Sequence, residues 1–174
     1  MVTSINQLTG ASAGTSAAVT AVVWSLVDNA TGTSPEVATP TATGTNFSFV
    51  KSLKIHITTV NSLSMTNVMV GKVAAETTTG TKLWAYTGHA TYTQATAAPT
   101  STGDNNVTAP TINAAAGTAL ALISAPPAAY AAGPFTTTGD QGNNVEITLG
   151  VDHTNTTAGT AVACPTLEWS WTEG

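Results

Sequence analysis

One serine in the chain stands in a spacing that hydrolytic enzymes use. The stretch Gly10–Gly14 (GASAG) matches G-x-S-x-G, the pattern that places a serine nucleophile on a sharp turn. That turn requires a strand before it and a helix after it, because the strained backbone is what projects the hydroxyl. Here a polar N-terminal segment precedes the pattern and a predicted strand follows it. We therefore expect a small-residue arm, no catalytic residue and no enzyme activity.

Metal and cofactor chemistry has little support in the residue spacing. The histidines His56, His89 and His153 fall on or beside three different predicted strands, so no two stand at a metal-ligand spacing. Loops 100–106 and 138–144 offer Asp and Asn oxygens, but neither has the spacing of a calcium-binding loop. We predict Asx turns there, with cation binding left open, and no metal site or cofactor.

Four aromatic residues are the candidates for an interface. Trp169 and Trp171 alternate along one predicted strand and therefore share a face, where they would cap a core or a subunit contact. Trp84 and Tyr86 have the same spacing, and such rings also suit stacking on sugars. Packing in a core or an interface is the favoured interpretation for all four residues.

The charge content excludes several classes of partner. Only 7% of the 174 residues are charged, against roughly 25% in an ordinary soluble domain. The charged residues are four lysines and nine acids, with no arginine, and the formal net charge is −5. Such a chain lacks the cationic surface that nucleic acids or anionic membranes require. It also lacks the forked guanidinium that grips phosphate.

Alternating hydrophobicity predicts strands with one buried face. Lys54–Thr58 (KIHIT), Val145–Val151 (VEITLGV) and Leu167–Trp171 (LEWSW) each place apolar residues at every second position. Threonine abundance fits, since β-branched side chains suit a pleated surface. About eight strands are predicted, at 18–27, 47–60 with a bend near Lys51, 63–73, 82–93, 107–112, 118–124, 144–151 and 165–172.

Turn-forming residues separate these strands, including Asp140–Asn144 (DQGNN). Many short strands with regular turns predict an all-β fold, a β-sandwich or jelly-roll-like domain of about eight antiparallel strands. We assign residues 17–174 to a single β-sandwich domain and 1–16 to an extended N-terminal arm. Cys164 has no second cysteine to pair with and is expected to pack as a small buried hydrophobe.

The scarcity of charge also predicts assembly. Monomeric β proteins usually guard their edge strands with lysine, proline or bulges, which prevents further strand pairing. Four lysines give this chain few such guards. We therefore expect neighbouring copies or the N-terminal arm to cover the edges, in a homo-oligomer of closed symmetry.

Several stretches resemble small structural proteins of tailed bacteriophages. The run 45–57 (TNFSFVKSLKIHI) is similar to their middle, where an N-[FY]-x-F-like start leads into an alternating strand. Residues 64–68 resemble the following strand, 79–83 the next turn, and 165–173 their C-terminal strand with its acidic end. The likeness spans about residues 45–173 as an order of features.

This resemblance implies a virion protein of the capsid decoration (cement) type, bound on the capsid exterior and made in the host cytoplasm. Its implied partner is the major capsid protein, and a trimer is the favoured oligomer. Basic members of that group carry arginine near 50–57, where this chain has only Lys51 and Lys54, which favours apolar and backbone contacts. The alternative is a carbohydrate-binding or adhesive β-sandwich module of a phage tail or a secreted surface fibre.

Overall fold

A computed structural model describes residues 1–10, 15–22, 24, 44–72, 81–86, 91–92, 94, 97–98, 118–119, 133–152 and 167–174. These residues include strands and no helix, which confirms the predicted all-β fold. The strands within them are β1 (Val2–Thr9), β2 (Thr15–Ala18), β3 (Thr45–Phe47), β4 (Lys51–Thr59), β5 (Met65–Lys72), β6 (Thr81–Tyr86), β7 (Thr118–Ala119), β8 (Gly139–Asp152) and β9 (Leu167–Glu173).

The described strands form two antiparallel sheets. In the larger sheet the order is β2-β1-β4-β8-β6-β7, with β3 also paired to β8, and in the smaller sheet β5 pairs with β9. Both sheets contribute to one hydrophobic cluster: Leu53 and Ile147 come from the larger sheet, and Met65 and Val70 from the smaller. The shared cluster therefore joins the two sheets, and burying each such side chain contributes about 1.5–3 kcal/mol.

The predicted strand 47–60 is interrupted just before Lys51. β3 ends at Phe47 and β4 begins at Lys51, and both strands pair with β8. The connecting backbone stays on β8, because the Ser48 amide donates to the Leu149 carbonyl at 2.9 Å.

The central strands β4 and β8 have one apolar face and one polar face. Directly opposed residues of antiparallel strands point to the same side. Leu53 opposes Val145 on the side of the shared core, whereas Ser52 opposes Glu146 on the other side. We call the second side of these strands the polar face, and we include Ser48, which contacts it from the β3–β4 connection. Its residues are Ser48, Ser52, His56, Asp140, Asn144, Glu146 and Thr148.

The N-terminal segment differs from the predicted arm. Val2–Thr9 is β1, which pairs with β2 on one side and β4 on the other. Gln7 and Leu8 are buried within it. The hydrophobic pattern did not reveal this strand because its apolar residues recur every third position, at 2, 5 and 8, and polar side chains occupy buried positions.

The predicted turn at Asp140–Asn144 is also corrected, since these residues belong to β8. Leu53 pairs with Val145 and Ile55 pairs with Gln141, so β8 uses four residues where β4 uses two. This β-bulge accommodates the turn-forming residues inside the strand, and Gly142 adopts the positive φ of 72° that glycine tolerates.

The remaining predicted strands are found in part. β5, β6 and β9 lie within or close to the predicted ranges 63–73, 82–93 and 165–172. The prediction at 18–27 is displaced, because β2 ends at Ala18 and the described residues beyond it form no strand, although Trp24 is buried in the core. The strand at 107–112 and most of 118–124 lie outside the described residues.

Candidate functional site

The polar face is hydrogen-bonded closely at the end near the β3–β4 connection. Ser48 and Thr148 are almost completely buried, at 0% and 1% exposure. The Thr148 hydroxyl donates to the Ser48 carbonyl at 2.8 Å, and the two hydroxyl oxygens lie 3.1 Å apart. The Leu149 amide donates to Ser48 Oγ at 3.0 Å. This pair therefore satisfies its buried polar atoms within the protein, as buried groups normally do.

The middle of the polar face is also buried, but two of its side chains lack hydrogen-bond partners among the described residues. Ser52 is 3% exposed, and Asn144 and Glu146 are each 0% exposed. Among the described residues, no hydrogen-bond partner reaches Ser52 Oγ or either amide atom of Asn144. An unsatisfied buried polar group costs about 1–3 kcal/mol, so these atoms need an explanation.

The far end of the polar face carries a histidine–carboxylate pair. His56 Nδ1 lies 2.6 Å from Asp140 Oδ1, and the two side chains are 31% and 24% exposed. Asn6 Nδ2 donates to Ser16 Oγ at 2.9 Å and makes a longer contact of 3.5 Å to Asp140 Oδ1. Ser4 Oγ donates to Asn6 Oδ1 at 2.9 Å. The network links four neighbouring strands, β2, β1, β4 and β8.

These residues raise the question of a serine–histidine–aspartate triad. Ser4 opposes His56 in the register of β1 and β4, and His56 opposes Asp140 in that of β4 and β8. However, the Ser4 hydroxyl donates to Asn6, and within the described residues it makes no hydrogen bond to His56. The nucleophile–base hydrogen bond that defines such a triad is therefore not made. The hydrogen bonds among these residues instead connect neighbouring strands of the larger sheet.

Sequence reasoning missed the His56–Asp140 pair. The two residues are 84 positions apart, and only the pairing of β4 with β8 brings them together. The sequence predicted His56 to be solvent-facing or hydrogen-bonded, and it is both. His89, His153 and loop 100–106 lie outside the described residues. The described part of the chain holds no group of three or more His, Cys, Asp or Glu side chains placed to bind a metal ion.

The four predicted interface aromatics divide between the two sheets. Trp169 and Trp171 lie on β9, are half-buried and pack against the shared hydrophobic cluster. Trp84 and Tyr86 lie on β6, where their backbone positions oppose residues 148 and 146 of β8. The structure thus gives two separate pairs of residues, and their role in an interface stays a prediction.

The C-terminal strand is tied to the beginning of the chain. Trp171 Nε1 donates to Glu173 Oε1 at 3.0 Å, and the amino group of Met1 lies 3.0 Å from Glu173 Oε2. The hydrogen bond from Trp171, followed by the interaction with the amino group, lowers the pKa of Glu173 below its ordinary value of 4.5. The carboxylate therefore joins β9 to β1 most firmly when it is ionised.

The G-x-S-x-G stretch has a different setting from the one predicted. A strand does precede it, since β1 ends at Thr9 and Gly10 follows with a positive φ of 86°. Residues 11–14 lie outside the described residues, and the next described element is the strand β2. A strand in that place is the wrong context for a nucleophile elbow, which opens a helix.

Comparisons with protein-family models, with curated proteins and with solved structures give no match to this chain. In the described residues there is no helix with the length and apolar character needed to cross a membrane.

Proposed function

We propose that the protein is a structural component of a phage virion, a capsid decoration (cement) protein that stabilises the head through contacts with the major capsid protein. The supporting observations are the 7% charge content without arginine and the resemblance of residues 45–173 to phage structural proteins. The antiparallel all-β fold is compatible with this role. The proposed form is a jelly-roll-like sandwich assembled as a trimer on the capsid exterior.

The observation that carries the proposal is the edge formed by β2. This four-residue strand ends the larger sheet, and no described strand pairs with its outer side. Its residues are TSAA, without charge or proline, and Ser16, Ala17 and Ala18 are exposed. Because unpaired backbone groups on an unguarded edge accept another strand, β2 suits contact with a neighbouring protein.

Contacts of this kind would act mechanically on the shell. A protein that pairs its edge with one shell subunit and packs another surface on a second subunit holds the two together. Separation of the subunits then has to break both contacts, so the barrier to shell opening rises. Backbone pairing needs no charged side chain, which agrees with the absence of arginine.

The test uses a charge placed on the proposed edge. Ala17→Lys guards β2 in the way that natural edge strands are guarded, and it should weaken binding to purified heads that lack this protein. Asn61→Lys adds the same charge at an exposed loop position and should bind like the wild type. Co-sedimentation with the heads measures binding, and light scattering at micromolar concentration measures the oligomer.

A wild-type protein that is monomeric and does not bind heads would overturn the proposal. If that protein instead bound glycans, and Trp84→Ala abolished the binding, the alternative of a carbohydrate-binding module would replace it. Equal head binding by both lysine variants would remove β2 from the contact and leave other surfaces to account for it.

A further inference from the structure

We propose that the middle of the polar face is an internal hydration site, in which ordered water is bound by Ser52 and Asn144 beside the Glu146 carboxylate. The two residues are 3% and 0% exposed. Among the described residues, Ser52 Oγ and both amide atoms of Asn144 have no hydrogen-bond partner in the protein. This site is separate from the proposed capsid contact and does not depend on it.

The strand register places these polar atoms together. Ser52 directly opposes Glu146 across the β4–β8 pair. Asn144 is two residues before Glu146 on the same strand, with the core residue Val145 between them. Because successive side chains alternate between the two sides of a strand, Asn144 lies on the side of Glu146 and Ser52. Three polar side chains thus share one buried region.

A β-bulge begins next to these polar side chains. Between the pairs Leu53–Val145 and Ile55–Gln141, β8 has two more residues than β4. Asn144 belongs to this extra length, where a bulge disrupts the regular hydrogen-bond ladder. The Ser48–Thr148 pair, by contrast, lies beyond the bulge and is closed by direct hydrogen bonds.

The chemistry of the unpartnered atoms selects water as the ligand. An asparagine side chain presents an acceptor oxygen and a donor NH₂ group, and here both need a partner. Water can donate to the oxygen and accept from the NH₂ group, and buried waters typically make about three hydrogen bonds. A cation would bind only the oxygens and would leave the Asn144 NH₂ group without an acceptor. The donor set therefore favours water over the cation considered for loop 138–144.

Oxygen-17 water relaxation dispersion tests this inference, because it counts water molecules that stay bound long enough to be internal. Asn144→Leu, which has nearly the same size and no polar atoms, should lose at least one long-lived water relative to wild type. Thr148→Val is the matched control, since it removes a buried hydroxyl whose partners lie within the protein. It should keep the wild-type count. Circular dichroism and cooperative unfolding verify that each variant is folded.

An unchanged water count in folded Asn144→Leu would overturn the inference. If that variant does not fold, Ser52→Ala serves in its place, because it removes one hydroxyl only, and the same loss is expected. Elemental analysis of the dialysed protein supplies the other arm. A stoichiometric metal ion that disappears in the variant would also overturn the inference and would assign the site to a cation.

Discussion

Two parts of the polar face differ in how their buried polar atoms are hydrogen-bonded. Near the β3–β4 connection, Ser48 and Thr148 satisfy each other and the backbone at 2.8–3.1 Å. Beside the bulge, Ser52 and Asn144 are equally buried, yet no described group completes their hydrogen bonds. Both parts involve β8. The difference shows that buried hydroxyls of the same chemical type have protein partners in one part of this face and none among the described residues in the other.

The largest effect on the free energy of unfolding is expected on the apolar side of β4, which provides the reference for this comparison. Leu53, the neighbour of Ser52, is 1% exposed and lies in the cluster that joins both sheets. Leu53→Ala should lower the free energy of unfolding by about 2–5 kcal/mol, through lost burial and the remaining cavity. Urea denaturation measures it. A loss no larger than that of the Ser52→Ala variant would contradict the location of the core.

Matched serine substitutions test the comparison itself. Ser48→Ala removes the acceptor of the Leu149 amide, whereas the Thr148 hydroxyl keeps its bond to the Ser48 carbonyl, so the variant should cost about 1–3 kcal/mol in the free energy of unfolding. Ser52→Ala removes a hydroxyl without a described protein partner and leaves no protein group unsatisfied, so it should cost less than Ser48→Ala. Equal losses for the two variants in urea denaturation would break the distinction.

The half-exposed end of the polar face should contribute less than the Ser48–Thr148 pair. His56 and Asp140 approach to 2.6 Å, but both remain accessible to water. A double-mutant cycle with His56→Ala and Asp140→Ala should give a coupling of about 0.2–1 kcal/mol. A coupling well above that range would mean that the pair behaves as a buried one.

The smallest effect is expected at Glu173, outside the polar face. Its pKa lies below 4.5 in the folded protein, chiefly because of the Trp171 hydrogen bond. A lowered pKa means that the ionised carboxylate favours folding, so its contribution is present above pH 4.5 and is lost as the pH falls through the folded pKa. NMR titration should place the Glu173 pKa below 4.5, and Trp171→Phe should raise it. An unchanged pKa in that variant would contradict the assigned cause.

The sequence predicts the strands that alternate and misses those that do not. Val145–Val151 and Lys54–Thr58 are read correctly, because a buried apolar face leaves a period of two. The alternation pattern does not predict β1, because β1 buries the polar side chain of Gln7. The DQGNN stretch predicts a turn because the same residues favour turns and β-bulges, and only the pairing with β4 distinguishes the two.

The polar face was beyond sequence reasoning for a related reason. Ser48 and Thr148 are 100 residues apart, and His56 and Asp140 are 84 apart. The local spacing of residues does not predict such partners, because they depend on the register between distant strands. Burial of Glu146 is equally hidden, since alternation with valine and isoleucine predicts a solvent-facing position for it.

The copy number of this chain in purified particles tests the proposal that it belongs to the shell of a virion. Quantitative mass spectrometry against the major capsid protein gives the ratio. The proposal predicts a fixed ratio comparable with the number of shell subunits, and the same ratio after stringent washing. A few copies per particle would indicate a tail or fibre protein, and absence from the particles would contradict the account.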